Sequence, residues 1–331
     1  MSDQFELASP PFDTPSCLRF SPTNPDLLLT SAWDTSLRLY DIQTNTQRFK
    51  YDHRAAVLAC TWGSDTTKAY TGGLDTGVRE LDLVTEKATH WGQHDNAVSS
   101  MVYARDMSTV ITGSWDESLR FWDLRSAPTG SPSSTHSVPE RVYHLDISGN
   151  NLVVGMASRL FHIYDIRNMS TPAQTRESSL KFMTRSLACM ADGQGYAIGS
   201  VEGRIGVEYF DPSPAVQEQK YAFKCHRQTI EDVDHVWPVN ALAFHPVHNT
   251  FASAGSDGTI SIWDHKLKKR LRQYPKYQTP VAAIAFNCDG TRLAVGLGYT
   301  WDDGENGARS GVLPALWIRK VGDEVKPRQA A

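Results

Sequence analysis

An all-β fold of repeated four-stranded sheets is predicted by three regularities in the 331-residue chain. Asp34, Asp75 and Asp116 stand 41 residues apart, each just after a small residue and its neighbour: Ser31-Ala32-Trp33, Gly73-Leu74, Ser114-Trp115. Seven positions on, a second aspartate ends an apolar run: Leu39-Tyr40-Asp41, Glu80-Leu81-Asp82, Phe121-Trp122-Asp123. That ending returns at Tyr164-Asp165, Tyr209-Phe210-Asp211 and Trp263-Asp264. A period of roughly 40–45 residues closing on Trp-Asp or its equivalents marks a WD-repeat β-propeller. The expectation is one seven-bladed propeller over residues 5–320, closed by an N-terminal strand, with a polar tail at 321–331.

Taken in order, Phe5-Glu6-Leu7 reads as a strand that completes the last blade. First strands of successive blades align at Cys17, Val57, Val98, Val142, Leu187 and Val239. A seventh begins at 280–286 and resumes at Leu316-Trp317-Ile318. Within the third repeat, the apolar runs 98–103 and 109–111 precede a turn at Ser114-Trp115-Asp116-Glu117 and an alternating strand at 118–122. Strands rich in Val, Ile, Leu and aromatics suit sheets buried between neighbours, and closure leaves only short edges. Residues 126–139, rich in Ser and Pro, read as a surface loop. Residues 211–220 and 228–234 lengthen the fifth blade's connections, and 299–314 form an acidic, Gly-rich loop in the last blade. Residues 324–331 read as a frayed end.

The third regularity concerns histidine. His53, His94 and His235 each precede a turn aspartate (Asp75, Asp116, Asp257) by 22 residues and a first-strand valine by four. The loop leading into a blade and the turn after its second strand emerge on one face. Imidazole and carboxylate can therefore meet there and satisfy each other. Three copies at one spacing argue for structural pairs rather than catalytic or metal sites.

Composition narrows the function. A net charge of −4 gives no global pull towards nucleic acid. Five cysteines, odd in number and without CxxC spacing, are expected to be free thiols in a reducing compartment. The N-terminus lacks the basic-then-apolar design of a signal peptide, and no apolar run approaches the ~18–20 residues that span a membrane. There is no Gly-x-Ser-x-Gly elbow, no phosphate-cradling Gly-x-x-x-x-Gly-Lys and no His/Cys cluster at zinc spacing. A non-catalytic platform is expected, with no metal and no cofactor.

The informative residues are those that depart from the repeat. Where other blades carry Leu74, Ala157, Val201 and Ser256 before the turn aspartate position, blades one and three carry Trp33 and Trp115. Exposed tryptophan on a rim is the residue type that most often anchors a bound peptide. Near blade five, Arg185, Arg204, Lys224, His226 and Arg227 are placed by register on the same face. Such a cluster suits a carboxylate-rich or phosphorylated peptide, because charge-assisted bonds to Arg are strong and directional. The basic run 266–270 falls in the loop after a third strand and reads as a solvated turn.

Several stretches together resemble one family. They are Ser-Ala-Trp-Asp-Thr-Ser-Leu-Arg-Leu-Tyr-Asp (31–41), Thr-Gly-Ser-Trp-Asp-Glu-Ser-Leu-Arg-Phe-Trp-Asp (112–123), Glu-Gly-Arg-Ile-Gly-Val-Glu-Tyr (202–209) and Tyr-Ala-Phe-Lys-Cys-His-Arg (221–227). The chain is similar, from about residue 5 to 326, to the spindle-checkpoint propellers, the third "budding uninhibited by benzimidazole" proteins. The resemblance implies a protein of the nucleus, and of the kinetochore in mitosis, acting as a monomeric propeller within hetero-complexes. Its implied partners are the GLEBS motifs of a checkpoint kinase and its pseudokinase-like relative, and phosphothreonine (Met-Glu-Leu-Thr type) repeats of a kinetochore scaffold. Trp33 and Trp115 match the family's aromatic anchors, and Arg204 an arginine that pairs with a motif glutamate. Lys224 and Arg227 match the basic stretch for the phosphorylated repeats, with Arg185 the next candidate; no direct nucleic-acid or membrane contact is implied.

Two other readings stay open. The sister propeller of messenger-RNA export also carries the 221–227 stretch. And Trp122-Asp123-Leu124-Arg125 spells the Trp-Asp-x-Arg box of substrate receptors for cullin ubiquitin ligases.

Overall fold

A computed structural model of the chain describes residues 3–308, 311 and 313–328. It contains seven antiparallel four-stranded sheets, the blades of a WD-repeat propeller. The chain divides into two compact units, one of residues 7–176 and the other of residues 1–6 with 177–331.

The unit 7–176 holds blades one to four. Blade three shows the plan: strands Val98–Ala104, Thr109–Ser114, Ser118–Asp123 and Ser134–Ser137 pair in that order. Blade one runs Pro15–Phe20, Leu27–Ala32, Ser36–Asp41, Thr46–Asp52, and blade two Val57–Trp62, Lys68–Gly73, Gly77–Asp82, Lys87–Gln93. Second strands are buried throughout, as in Thr109–Ser114, so apolar side chains on both faces pack against neighbouring sheets. Leu29, Leu39, Cys60, Trp62 and Leu81 fill the space between blades one and two. Ile111, Phe121, Leu145 and Val154 do so between blades three and four.

Two local devices explain why aspartate recurs. Asp34 and Asp116 sit before a residue with positive φ (Thr35 and Glu117) and accept the backbone N–H and hydroxyl of Ser36 and Ser118. Glycine supplies the same left-handed position at Gly203 and Gly258, where it costs no steric strain. The second aspartate caps the next turn. Asp41, Asp82 and Asp264 each accept the N–H groups two and three residues on, which fastens the third strand to the fourth.

The other unit holds blades five to seven. Blade five is Thr184–Cys189, Gly195–Ser200, Arg204–Tyr209, Tyr221–Lys224, and blade six Val239–Phe244, Phe251–Gly255, Ile260–Asp264, Lys269–Gln273. Blade seven pairs Val281–Phe286, Arg292–Leu297 and Ala315–Lys320 with the N-terminal strand Gln4–Glu6, in the register Phe5↔Ile318. Gln4 accepts hydrogen bonds from Tyr277 and Arg319, which pins that closing strand.

Four loop expectations change. Residues 126–139 are not all loop, because Ser134–Ser137 is the outer strand of blade three. Residues 228–234 lie in an extra hairpin, Arg227–Ile230 paired with Val233–Val236. The basic run 266–270 enters the outer strand at Lys269 rather than staying in the loop. Residues 321–325 are anchored: Val321 and Val325 are buried in the core between blades six and seven, and Thr250 donates to the Val325 carbonyl. Apolar side chains at 321 and 325 outweigh the polar composition around them. The loop 299–314 contains the short helix Gly304–Ala308; residues 309, 310 and 312, like 329–331 of the tail, lie outside the described residues.

Candidate peptide-binding site

The turn aspartates organise networks that hold the loops in place. In blade three, His94 Nδ1 lies 2.8 Å from Asp116, and His94 Nε2 lies 2.8 Å from Thr112 Oγ1. Trp122 donates its indole N–H to that same hydroxyl at 2.9 Å. Asp, His, Thr and Trp thus form one chain from the loop to the third strand, with every buried polar atom facing a partner. Arg120, four residues after Asp116, closes the loop by donating to Asp95 at 2.8 Å.

Blade six repeats the chain with a different histidine. His226, not His235, meets Asp257: Nδ1 lies 2.9 Å from the carboxylate, Nε2 lies 2.9 Å from Ser253 Oγ, and Trp263 donates to Ser253 at 2.8 Å. His235 stands in the extra hairpin, exposed and opposite Gln228. The 22-residue interval is therefore fortuitous here. The hairpin lengthens the interval from the true partner to 31 residues. The usable signal was position after the fourth strand, since His94 follows Lys87–Gln93 directly and His226 follows Tyr221–Lys224 after one residue.

Blade two is a truncated version. His53 Nδ1 is 3.8 Å from Asp75, whereas Arg79 approaches that carboxylate to 2.7 Å. Leu81 replaces the tryptophan, so among the described residues nothing donates to the Thr71 hydroxyl. Sequence reading also missed the arginine four residues after the turn aspartates of the first three blades, Arg38 after Asp34, Arg79 after Asp75 and Arg120 after Asp116. Its signal was present in the same 41-residue register.

Burial alone would raise the Asp116 carboxyl. Hydrogen bonds from His94, Ser118 and the Asp95 amide outweigh it and hold the group well below the usual carboxylate range. Asp257 is lowered against its burial in the same way by His226 and Thr259. A carboxyl depressed in the folded state stabilises fully above its unfolded value near ~4 and loses that contribution as pH falls through its folded value. Asp116→Asn is therefore expected to flatten the acid limb of a stability-versus-pH curve below about pH 4, read by denaturant unfolding.

On this frame, Trp33 is 45% exposed, at the turn that follows the second strand of blade one. Trp115, in the matching turn of blade three, is half-buried, and its indole nitrogen has no acceptor among the described residues. Both stand beside a turn aspartate fixed by hydrogen bonds, so the indoles rest on rigid backbone.

The basic residues of blade five form a smaller, partly neutralised group. Arg204 Nε lies 3.2 Å from Glu202, and Lys224 is its cross-strand partner, exposed and in no ion pair among the described residues. Arg227 approaches the same Glu202 carboxylate to 3.6 Å. It also donates to the backbone carbonyls of Glu202, at 2.6 Å, and Gly203, at 3.2 Å, clamping the turn. His226 is buried in the network above and takes no part in the surface. Arg185 is exposed, its Nε 3.4 Å from Asn240. Two arginines thus share one glutamate, and Lys224, opposite Arg204, is the least committed cation of the group.

Arg125 folds back on Asp123 through two bonds of 2.8 and 2.7 Å, and Arg167 does the same on Asp165 in the next blade. The Trp-Asp-x-Arg box is thus a turn feature that recurs without its tryptophan. Among the described residues no group of three or more His, Cys, Asp or Glu is arranged to hold a metal, and no helix is long and apolar enough to cross a membrane.

These blades and turn networks define a WD-repeat propeller, a class built for docking partners. The WD domain, G-beta repeat model matches residues 12–41, 85–123 and 218–264. The solved structure of U3-55K shares the fold, with a TM-score of 0.80 over 96% of this chain and 98% of that one, at 14% identity. The "Mitotic checkpoint protein BUB3.1" of Arabidopsis thaliana is 46% identical over 98% of this chain and 94% of its own length. The "mRNA export factor GLE2" of Chaetomium thermophilum is 37% identical over 99% of this chain and 93% of its own. The chain belongs to the Bub3 family of mitotic checkpoint proteins, with Rae1/Gle2-type export factors similar over the same span.

Proposed function

We propose that the protein is a non-catalytic adaptor of the spindle assembly checkpoint, working in the nucleus and, in mitosis, at the kinetochore. The observation that carries this is likeness to a mitotic checkpoint protein along essentially the whole chain. Trp33 and Trp115 are assigned to a GLEBS motif of a checkpoint kinase or its pseudokinase-like relative, and Arg204 to a glutamate of that motif. Lys224 and Arg227 are assigned to phosphothreonine of a kinetochore scaffold, with Arg185 as a further contact. The free charge on Lys224 supports this assignment, and so does the single glutamate shared by two arginines, Arg204 and Arg227.

Phosphothreonine carries about −1.5 to −2 charge and three acceptor oxygens at neutral pH, and partly exposed contacts to it weaken as salt rises. Calorimetric titration with phosphorylated and unphosphorylated Met-Glu-Leu-Thr peptides tests the assignment. Lys224→Ala together with Arg227→Ala is expected to erase the preference for phosphate while leaving GLEBS affinity within about twofold. Because Arg227 clamps a turn, Lys224→Ala alone is the cleaner variant, expected to lose most of the preference with an unchanged melting midpoint. A preference of tenfold or more surviving in the double variant places the phosphate elsewhere.

A further inference from the structure

Trp33 and Trp115 stand at one end of their blades, and a cavity opens at the other. In the unit 7–176, the first strands Pro15–Phe20 and Val98–Ala104 begin beside those turns, in the registers Pro15↔Ala32 and Val98↔Ser114. Their far ends, with those of Val57–Trp62 and Val142–Ser148, enclose a cavity of about 230 Å³. Blade one lends it Arg19, blade two Trp62, blade three Met101, Tyr103 and Arg105, and blade four Asp146.

The charges on this wall depart from the repeat. The fifth residue of each first strand is Arg19, Thr61, Val102 and Asp146 in blades one to four. In blades five to seven it is Ala188, Ala243 and Ala285. A blade therefore forms without a charge at that position, and packing alone does not call for Arg19 or Asp146. Neither Arg19 nor Arg105 is in an ion pair among the described residues. The half-buried Tyr103 makes no hydrogen bond through its hydroxyl among them either, so a further donor is free. Trp62 donates its indole N–H to the Arg19 carbonyl at 2.9 Å, which leaves its ring, with the buried Met101, as apolar wall. Two guanidinium groups against one carboxylate give the lining one net positive charge (2 − 1).

We propose that this cavity binds a small monocarboxylate with an apolar body, a single ring or a short alkyl chain. The carboxylate meets Arg19 and Arg105, whose planar donors match it, with the Tyr103 hydroxyl as a third donor, and the body lies against Trp62 and Met101. One carboxylate neutralises the one net charge. A phosphate of about two charges would bring excess negative charge up to Asp146 and has no apolar body for the wall. The volume is below the roughly 300–1,000 Å³ of drug-sized sites and suits a ligand of single-residue size.

Saturation-transfer NMR and calorimetry with N-acetylphenylalanine test this on the full-length protein. Binding is expected with a dissociation constant on the order of 1 mM or tighter. N-acetylphenylalaninamide, which keeps the ring and loses the charge, is expected to bind about tenfold more weakly. Inorganic phosphate, which has the charge without the ring, is expected not to displace the acid at equal concentration. Arg105→Gln, on the exposed turn Arg105–Met107, is expected to keep the melting midpoint and weaken the acid about tenfold. Arg19→Gln is expected to weaken it at least as much; if that variant does not fold, Arg105→Gln decides alone. No binding by wild type at about 10 mM acid overturns the proposal. So does equal affinity for acid and amide, displacement by phosphate, or full affinity in Arg105→Gln.

Discussion

His226→Ala is expected to lower the stability of the protein by about 2–3 kcal/mol, while His235→Ala leaves it within about 0.5 kcal/mol. The imidazole of His226 bonds to Asp257 on one side and Ser253 on the other, inside a buried network. Removing it leaves the carboxylate with only Thr259 as a partner. The hydroxyl keeps only the Trp263 donor. Desolvated groups deprived of a partner lose far more than an average hydrogen bond contributes. His235, on an exposed hairpin strand, has no such network. Urea denaturation of both variants reads the difference through the midpoint at constant slope. Equal effects would mean that the hairpin, and not the turn network, holds the loop into blade six.

Trp33→Ala is expected to weaken GLEBS-peptide binding by about 2 kcal/mol or more, close to thirtyfold, with little change in the unfolding midpoint. The indole is nearly half exposed, and no side-chain hydrogen bond holds it among the described residues, so truncation removes little of the folded state's packing. Trp115→Ala behaves differently. Its ring is more deeply seated, so binding loss is accompanied by a moderate stability loss. The two variants therefore separate anchoring from packing on the same pair of turns. A collapsed midpoint for Trp33→Ala with intact affinity in the surviving folded protein would make that indole a packing residue.

The blade architecture was legible because its determinants are local. A turn aspartate caps its own turn, a second caps the next, and strands that are apolar on both faces must lie between sheets. Asp34, Asp75 and Asp116 therefore announce blades one to three without any knowledge of tertiary contacts. The His–Asp pairing was legible only where no chain is inserted. His94 and Asp116 follow from spacing, but the hairpin 227–236 shifts the count and moved the assignment from His226 to His235. Spacing measures chain length, whereas the network selects the histidine that follows the fourth strand. The basic surface was legible as a list of cations and not as an arrangement. That Arg227 spends two donors on the carbonyls of Glu202 and Gly203 is a tertiary fact with no periodic signal.

Recovery of the tagged protein from mitotically arrested cells, followed by mass spectrometry of what it retains, tests the adaptor role most directly. A GLEBS-containing checkpoint kinase is expected among the retained proteins, depleted when Trp33 is replaced by alanine, together with a phosphorylated kinetochore scaffold. Retention of nucleoporins or a cullin adaptor in place of any checkpoint kinase would contradict it.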